Sequence, residues 1–411
     1  MRSLSRIPRY PRRRSILQAL VLFFILYTTF EISQILRCLS NPPPGGPIPL
    51  YPRRVYIASI HWNNEAILRS RWNDAVVALA LALGQENVFV SVHESGSWDD
   101  SKGALKELDA KLREHKIRRN ITLSDVTHAD EISVEDKGSG WIDTPRGNRE
   151  LRRIPYLSRL RNLSLEPLRR LQLQGEQFDT VLFLNDVVFT TTDALRLLST
   201  NNGDFAAACS LDFNRPPLFY DTFALRDAEG HEMLMQKWPY FQARESRRAI
   251  LANVPVPVSS CWNGMGYLLS YATVAMPAQP FISDPPLRFR GIPDSLAASH
   301  LEGSECCLIH ADNPLSAEKR VLVNPNVRVG YSGEAYDAVH PQRSLQSFWQ
   351  IFGALWENRL RRWTTTVSFK EMYVRRQIAR WKKGNRHREE RGNSCLVNEM
   401  QVLAENGWAH V

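Results

Sequence analysis

Between Val55 and Phe213 the apolar positions fall in short runs separated by longer amphipathic stretches. Val55–Ile60 is a β-type run closed by the polar turn 61–64, after which a helical pattern continues to about Leu83. Asn87–Val92 repeats the run, His93–Ser97 repeats the polar end, and Ser101–His115 repeats the helix. Strand, helix, strand, helix in this rhythm predicts a parallel sheet with right-handed crossovers, and places both polar loops on one sheet edge. Arg152–Gln174 predicts a helix that leads into the stretch 178–189, FDTVLFLNDVVF. Its apolar run Val181–Leu184 suits a strand buried on both faces, and it ends in Asn185 and Asp186. Carboxylates at such strand ends sit where α/β sheets bind ligands, although an Asn-Asp pair also serves ordinary turns. Thr192–Leu198 predicts a short helix, and Asp204–Phe213 and Phe219–Asp227 predict further strands.

The two ends of the chain follow other patterns. Six arginines precede the apolar run Ser15–Phe30, which reaches membrane-spanning length if it continues toward Leu36. The run exceeds an ordinary signal-peptide core and lacks a small-x-small cleavage site, so the expectation is an uncleaved anchor, with a cleaved signal as the alternative. Positive charge before the span keeps that side cytosolic and places the remainder in the lumen. Residues 41–52, NPPPGGPIPLYP, form an extended proline-rich stem. Near the other end Trp349, Trp356 and Trp363 recur every seven residues with Phe352 between them, giving a helix one aromatic side. Packing on the catalytic core is the preferred reading of that side, and interfacial membrane contact, helped by the arginines from Arg359 to Arg391, is the second. The expected organisation is a cytosolic tail (1–14), an anchor (15–36), a stem (37–53), a catalytic domain (54–343) and a basic helical extension (344–411).

Charge and cysteine usage narrow the function classes. The net charge of +9 would suit a nucleic-acid binder, but the arginines gather at the two ends while the middle mixes both signs, so no nucleic acid is expected. Five cysteines follow Cys38 and none has CxxC spacing, so disulfides rather than zinc are expected, with one thiol left over. Of the two N-glycosylation sequons, Asn120 is expected in a polar loop and is the better glycan site. Asn162 falls in the helix expected to face the ligand edge.

A buried strand ending in Asp, a nucleotide-type β/α half before it and a distant His-x-Asp after it fit a metal-assisted nucleotide-sugar transferase. A nucleoside-diphosphate leaving group needs a divalent cation and positive side chains. Asp186 and His310 are the candidate metal ligands, and one imidazole among oxygens favours Mn²⁺ over Mg²⁺. Tyr156, Arg159, Arg161, Asn162 and Asn185 are assigned to the nucleotide sugar, with Arg159 or Arg161 neutralising phosphate. Trp262 and Asn263, in a glycine turn, are assigned to the acceptor together with Asp221; a buried core position is the alternative for Trp262.

LFLNDVVF, CSLDF, PPLFYDTFALRD, SCWNG, LRFRGIPDS, HLEGSECCLIHADNPLS and NPNVRVGY resemble the fungal capsule-associated α-1,3-mannosyltransferase family, from about Arg54 to Pro341. The resemblance implies a GT-A-like nucleotide-sugar transferase fold, α/β with a mixed, mainly parallel sheet, on a single N-terminal transmembrane helix. It implies GDP-mannose as donor, a mannan or other mannose-containing glycan as acceptor, an α-1,3 linkage made with retention, and a Golgi type II membrane protein. SECCL resembles the acidic acceptor-side motif of GT-A enzymes, which makes Glu305, and after it Glu302, the catalytic candidates; Asp212 and Asp221 come next. Two departures stand out. Asn185-Asp186 is followed by Val187, so the usual Asp-x-Asp is degenerate, and Gly266–Thr273 looks inserted. A different nucleotide-sugar donor, or a non-catalytic polysaccharide-assembly subunit, are the competing readings.

Overall fold

The computed structural model describes residues 13–40, 53–262, 273–340, 346–364 and 367–411. The basic tail to residue 12, the proline-rich segment 41–52, Asn263 and residues 266–272 of the apparent insertion lie outside the described residues.

The expected strand–helix alternation forms half of a large sheet. Arg118–Ser124, Val88–Ser95, Val55–His61 and Thr180–Leu184 lie side by side and all pair in parallel. Thr273–Pro277 then pairs antiparallel with Thr180–Leu184, and Ala207–Arg215, Val321–Gly330, Val256–Ser260 and Arg226–Asp227 follow in that order. Among the described residues, only Thr273–Pro277, Val256–Ser260 and the short Leu218–Phe219 oppose the common direction. The fold is thus α/β with a mixed, mainly parallel sheet, as expected.

Alternation along each strand divides the core between the two sheet faces. Val55 and Ile57 join one apolar cluster, where the helices Asn73–Leu83 and Ser101–Glu114 contribute Val76, Leu79, Leu105 and Leu108. Tyr56 and Ala58 join the other, where Leu165 and Leu168 of Arg153–Leu173 meet Leu308 and Ile309 of Glu305–Asp312. Both faces are therefore covered, and ligands reach the sheet at its ends.

Two segments depart from expectation. Phe219–Asp227 is not one strand: the Asp221 carboxylate accepts from the backbone N–H groups of Phe223 (2.9 Å) and Ala224 (3.0 Å), an Asx turn that folds the chain between two two-residue strands. The extension beyond Lys383 holds no α-helix, only a 3-10 turn at Asn393–Cys395. Leu396–Val397 pairs with Glu302–Gly303, and the hairpin Gln401–Ala404/Gly407–His410 places Leu403 in the cluster around Trp62 and Tyr156. Disulfides join Cys209 to Cys261 and Cys307 to Cys395, so the last stretch is bonded covalently to the sheet domain while Cys306 remains a buried thiol.

The N-terminal helix Arg13–Ser40 contains a 26-residue stretch, Ser15–Ser40, long and apolar enough to cross a membrane. Ile16, Leu17 and Leu20 through Leu26 carry exposed apolar side chains, whereas Ile32 and Ile35 are buried in the main core.

Candidate active site

The parallel strands end at His61, Ser95, Leu184 and Gly330 on one edge, where a cleft of about 700 Å³ opens. Asn64, Asp99, Asp186, Arg215, Tyr220 and Tyr331 are among its walls. Asp186 stands there because its strand is only five residues long and ends two positions earlier. Val274 faces both Phe183 and Cys209, so Asp186 and Asp212 each lie three residues beyond the same rung. Two strands on either side of Thr273–Pro277 therefore deliver carboxylates to one level of the edge.

Each carboxylate is held by one oxygen. Asn64 donates from Nδ2 to Asp186 Oδ2 at 2.9 Å, and Tyr331 donates from its hydroxyl to Asp212 Oδ2 at 2.9 Å. Asp186 Oδ1, Asp212 Oδ1 and Asp221 Oδ2 are buried and accept no hydrogen bond among the described residues. Burial pushes the Asp186 carboxyl well above the usual range, against the pull of Asn64 and of the Arg161 charge. Burial raises Asp212 likewise, and the neighbouring Asp221 charge adds to it. Asp221 is raised to about 6, also by burial, despite its two backbone donors.

Asn64 is itself fixed. Its Oδ1 accepts from Trp62 N (3.1 Å) and faces His61 Nδ1 (3.1 Å), and its backbone N–H donates to Ser101 Oγ (2.7 Å). Burial lowers His61 to about 4, so this ring is neutral at ordinary pH. Asn185 turns away from the cleft: its Oδ1 accepts from Ile60 N at 3.1 Å and joins the first strand to the central one. Gly330 makes the Tyr331 position possible, because a Cβ there would collide with the Tyr336 backbone.

Behind the carboxylates, Arg161 is buried under Trp262 and Phe289, with its guanidinium carbon 5.0 and 5.7 Å from their ring centroids. Its Nε donates to Glu305 Oε1 at 3.0 Å, and the Glu305 charge is close enough to raise Asp221. Asp186, Asp212, Asp221, Arg161 and Glu305 thus form one electrostatically linked group.

Other expected site residues lie elsewhere. His310 does not meet Asp186: its Nε2 faces the Cys261 carbonyl, burial lowers it to about 4, and it lines a separate cleft with Val258, Lys319 and Arg320. Trp262 is fully buried against Phe183 and Phe289, so it is a core residue and not a stacking platform for an acceptor sugar. Glu302 is consumed structurally, since Arg152 donates to it from Nε (3.1 Å) and Nη2 (2.7 Å) with both side chains fully buried. Tyr156 is buried beside His128, and Arg159 is half exposed and paired with Glu131. Asn162 exchanges two hydrogen bonds with the Phe289 backbone. Asn120 lies not in a loop but in the edge strand Arg118–Ser124, with its amide on Thr122 Oγ1.

The sequence reading missed Asn64, Tyr220 and Tyr331 as cleft residues. Asn64 was detectable as the polar residue closing the first strand, and Tyr331 as the end of the NPNVRVGY stretch.

Among the described residues no three His, Cys, Asp or Glu side chains are grouped to hold a metal. A divalent cation fits the cleft differently, since Asp186 Oδ1 is a buried oxygen without a partner and diphosphate sites complete the shell with phosphate and water.

A family model described as Cryptococcal mannosyltransferase 1 matches residues 54–312. No curated protein matches the chain. Among solved structures, the mannosyltransferase PcManGT from Pyrobaculum calidifontis, in complex with GDP-Man and Mn²⁺, is 12% identical with a TM-score of 0.36, over 90% of this chain and 87% of that one. TarS from S. aureus is 11% identical with a TM-score of 0.37, over 80% of this chain and 49% of that one. GalNAc-T7, solved with UDP, GalNAc and Mn²⁺, is 11% identical with a TM-score of 0.34, over 68% of this chain and 43% of that one.

Proposed function

The chain belongs to the cryptococcal mannosyltransferase 1 family, and on that premise we propose that it moves mannose from GDP-mannose to a mannose-containing glycan, in α-1,3 linkage and with retention. The observation that carries this reading is Asp186, a buried carboxylate with one unpartnered oxygen at the strand-end cleft. The cleft volume of about 700 Å³ suits a nucleotide sugar.

Asp186 would hold Mn²⁺ or Mg²⁺ through Oδ1 while Asn64 fixes its other oxygen. Such a cation supplies charge neutralisation at the leaving diphosphate. The bond between mannosyl C1 and the diphosphate oxygen breaks, the bond from C1 to the acceptor oxygen forms on the same face, and the acceptor proton leaves with GDP. Glu305, positioned by Arg161, is the carboxylate proposed to steady the oxocarbenium-like centre, with Asp221 beside it on the acceptor side. The helix Arg13–Ser40 would anchor the enzyme as a type II protein of the Golgi membrane with the cleft in the lumen.

The full chain in detergent, offered a panel of nucleotide sugars with α-mannobiose, tests this. GDP-mannose-specific transfer giving an α-1,3 product supports the reading, and transfer from another donor alone overturns the assignment of substrate.

A further inference from the structure

Helix Phe348–Thr364 buries only one side. Ile351, Ala354, Leu355 and Asn358 face the protein, while Trp349 and Trp363 are 74% and 64% exposed and Phe352 and Leu360 stand beside them. Two large, widely exposed indoles on one helix are not what a helix packed only on the catalytic core leaves behind. Phe369, Met372 and Tyr373 continue the exposed apolar surface onto the next helix, Val367–Lys383.

The position of this helix relative to the N-terminal helix supplies the occupant. Arg359 bonds Thr28 Oγ1 (3.1 Å) and pairs with Glu31, the first acidic residue after the apolar run Ser15–Phe30. The two helices therefore meet at the level where the apolar run ends. On the apolar side of that level, Phe348, Trp349, Phe352 and Trp356 share a groove of about 480 Å³ with Val21, Phe24 and Ile25. On the other helix Lys370, Arg375, Arg376 and Arg380 are exposed. Tryptophan at the junction, aliphatic surface below and basic side chains close by is the pattern of an element that meets the bilayer interface.

We propose that helix Phe348–Thr364 is a second membrane contact that enters the bilayer beside the anchor helix, with Trp363 at headgroup level near the Arg359–Glu31 junction and Trp349 deeper, beside Val21, Phe24 and Ile25. The proposal rests on reading Arg13–Ser40 as a membrane anchor. Two contacts fix orientation where one does not: a single anchor behind a stem leaves the domain free to tumble, whereas the Arg359–Glu31 junction and the inserted aromatic side fix the domain against the bilayer.

The test reconstitutes the full chain into vesicles of phosphatidylcholine and phosphatidylserine with bromine along the acyl chains. Tryptophan emission is read for the wild type and for Trp349→Phe/Trp363→Phe, whose donor turnover in detergent should match the wild type. The proposal predicts that lipid quenching of the variant falls at least twofold below the wild type. Equal quenching in both, with Trp349 and Trp363 still open to aqueous acrylamide on the vesicle, overturns it. An alkaline carbonate wash separates the two readings: chain that washes off removes the anchor itself, and chain that stays but shows no quenching difference removes only the second contact. Cross-linking between copies through position 349 would assign the surface to a second chain and overturns the proposal as well.

Discussion

The Asn64 amide donates to one oxygen of the Asp186 carboxylate at 2.9 Å and leaves the other oxygen without a partner in the cleft. Asn64 is fixed from behind by Trp62, His61 and Ser101, so the turn that follows the first strand helps to orient the carboxylate. A side chain held in this way is preorganised for a ligand.

Asn64→Ala removes that orientation without touching the carboxylate. A hydrogen bond to a charged group contributes about 1.5–3 kcal/mol, so kcat/KM should fall ~10- to 100-fold. The thermal midpoint should move far less than the rate. Steady-state kinetics beside a melting curve check this.

Asp221 couples stability to pH. Its folded-state pKa of about 6 lies above the ordinary carboxylate value of 3.8, so the folded state binds the proton more tightly than the unfolded one. The sign follows: the stabilising contribution is complete below pH 3.8 and is lost as pH rises through about 6. Asp221→Asn should therefore be more stable than the wild type at pH 7, by on the order of 1–3 kcal/mol. The advantage should vanish near pH 4, and denaturant titrations at the two pH values read it directly.

Glu302 and Glu305 separate by role. Glu302→Gln leaves the buried Arg152 with Asp294 as its remaining carboxylate partner, and breaking a buried pair costs up to about 3–5 kcal/mol. Glu305→Gln also breaks a buried pair, with Arg161, and so should lower stability as well, but it should in addition lower kcat of the folded fraction by roughly 10²-fold or more. Kinetics normalised to the folded fraction distinguish the two outcomes.

The sequons should differ in use. Asn120 is on an edge strand with its amide bonded only to its own sequon threonine, whereas the Asn162 amide is bonded both ways to the Phe289 backbone. Asn120→Gln should remove the glycosidase-sensitive mobility shift of the protein from a secretory host, and Asn162→Gln should leave it in place while lowering stability.

The sheet was legible because alternation and buried runs are local properties. Val55–Ile60 and Val181–Leu184 each appear as strands with Asp186 at the right edge. Which residue would hold each carboxylate was not legible, since the pairs Asn64–Asp186 and Tyr331–Asp212 are brought together only by sheet pairing across more than a hundred residues. His310 misled for a geometric reason: it is five residues from Glu305 on one helix, ~140° around the axis, so the two cannot share one site. Trp262 misled because a glycine turn after it suggests exposure, while the Cys209–Cys261 disulfide beside it holds the indole in the core.

The most direct test of the central claim compares wild type and Asp186→Ala as full chains, measuring mannose release and transfer from GDP-mannose with Mn²⁺ and then with chelator. The account predicts turnover that chelation removes and that Asp186→Ala lowers ~10³-fold or more, with the fold intact by circular dichroism. Turnover by Asp186→Ala within tenfold of the wild type would contradict it and take the strand-end cleft out of the reaction.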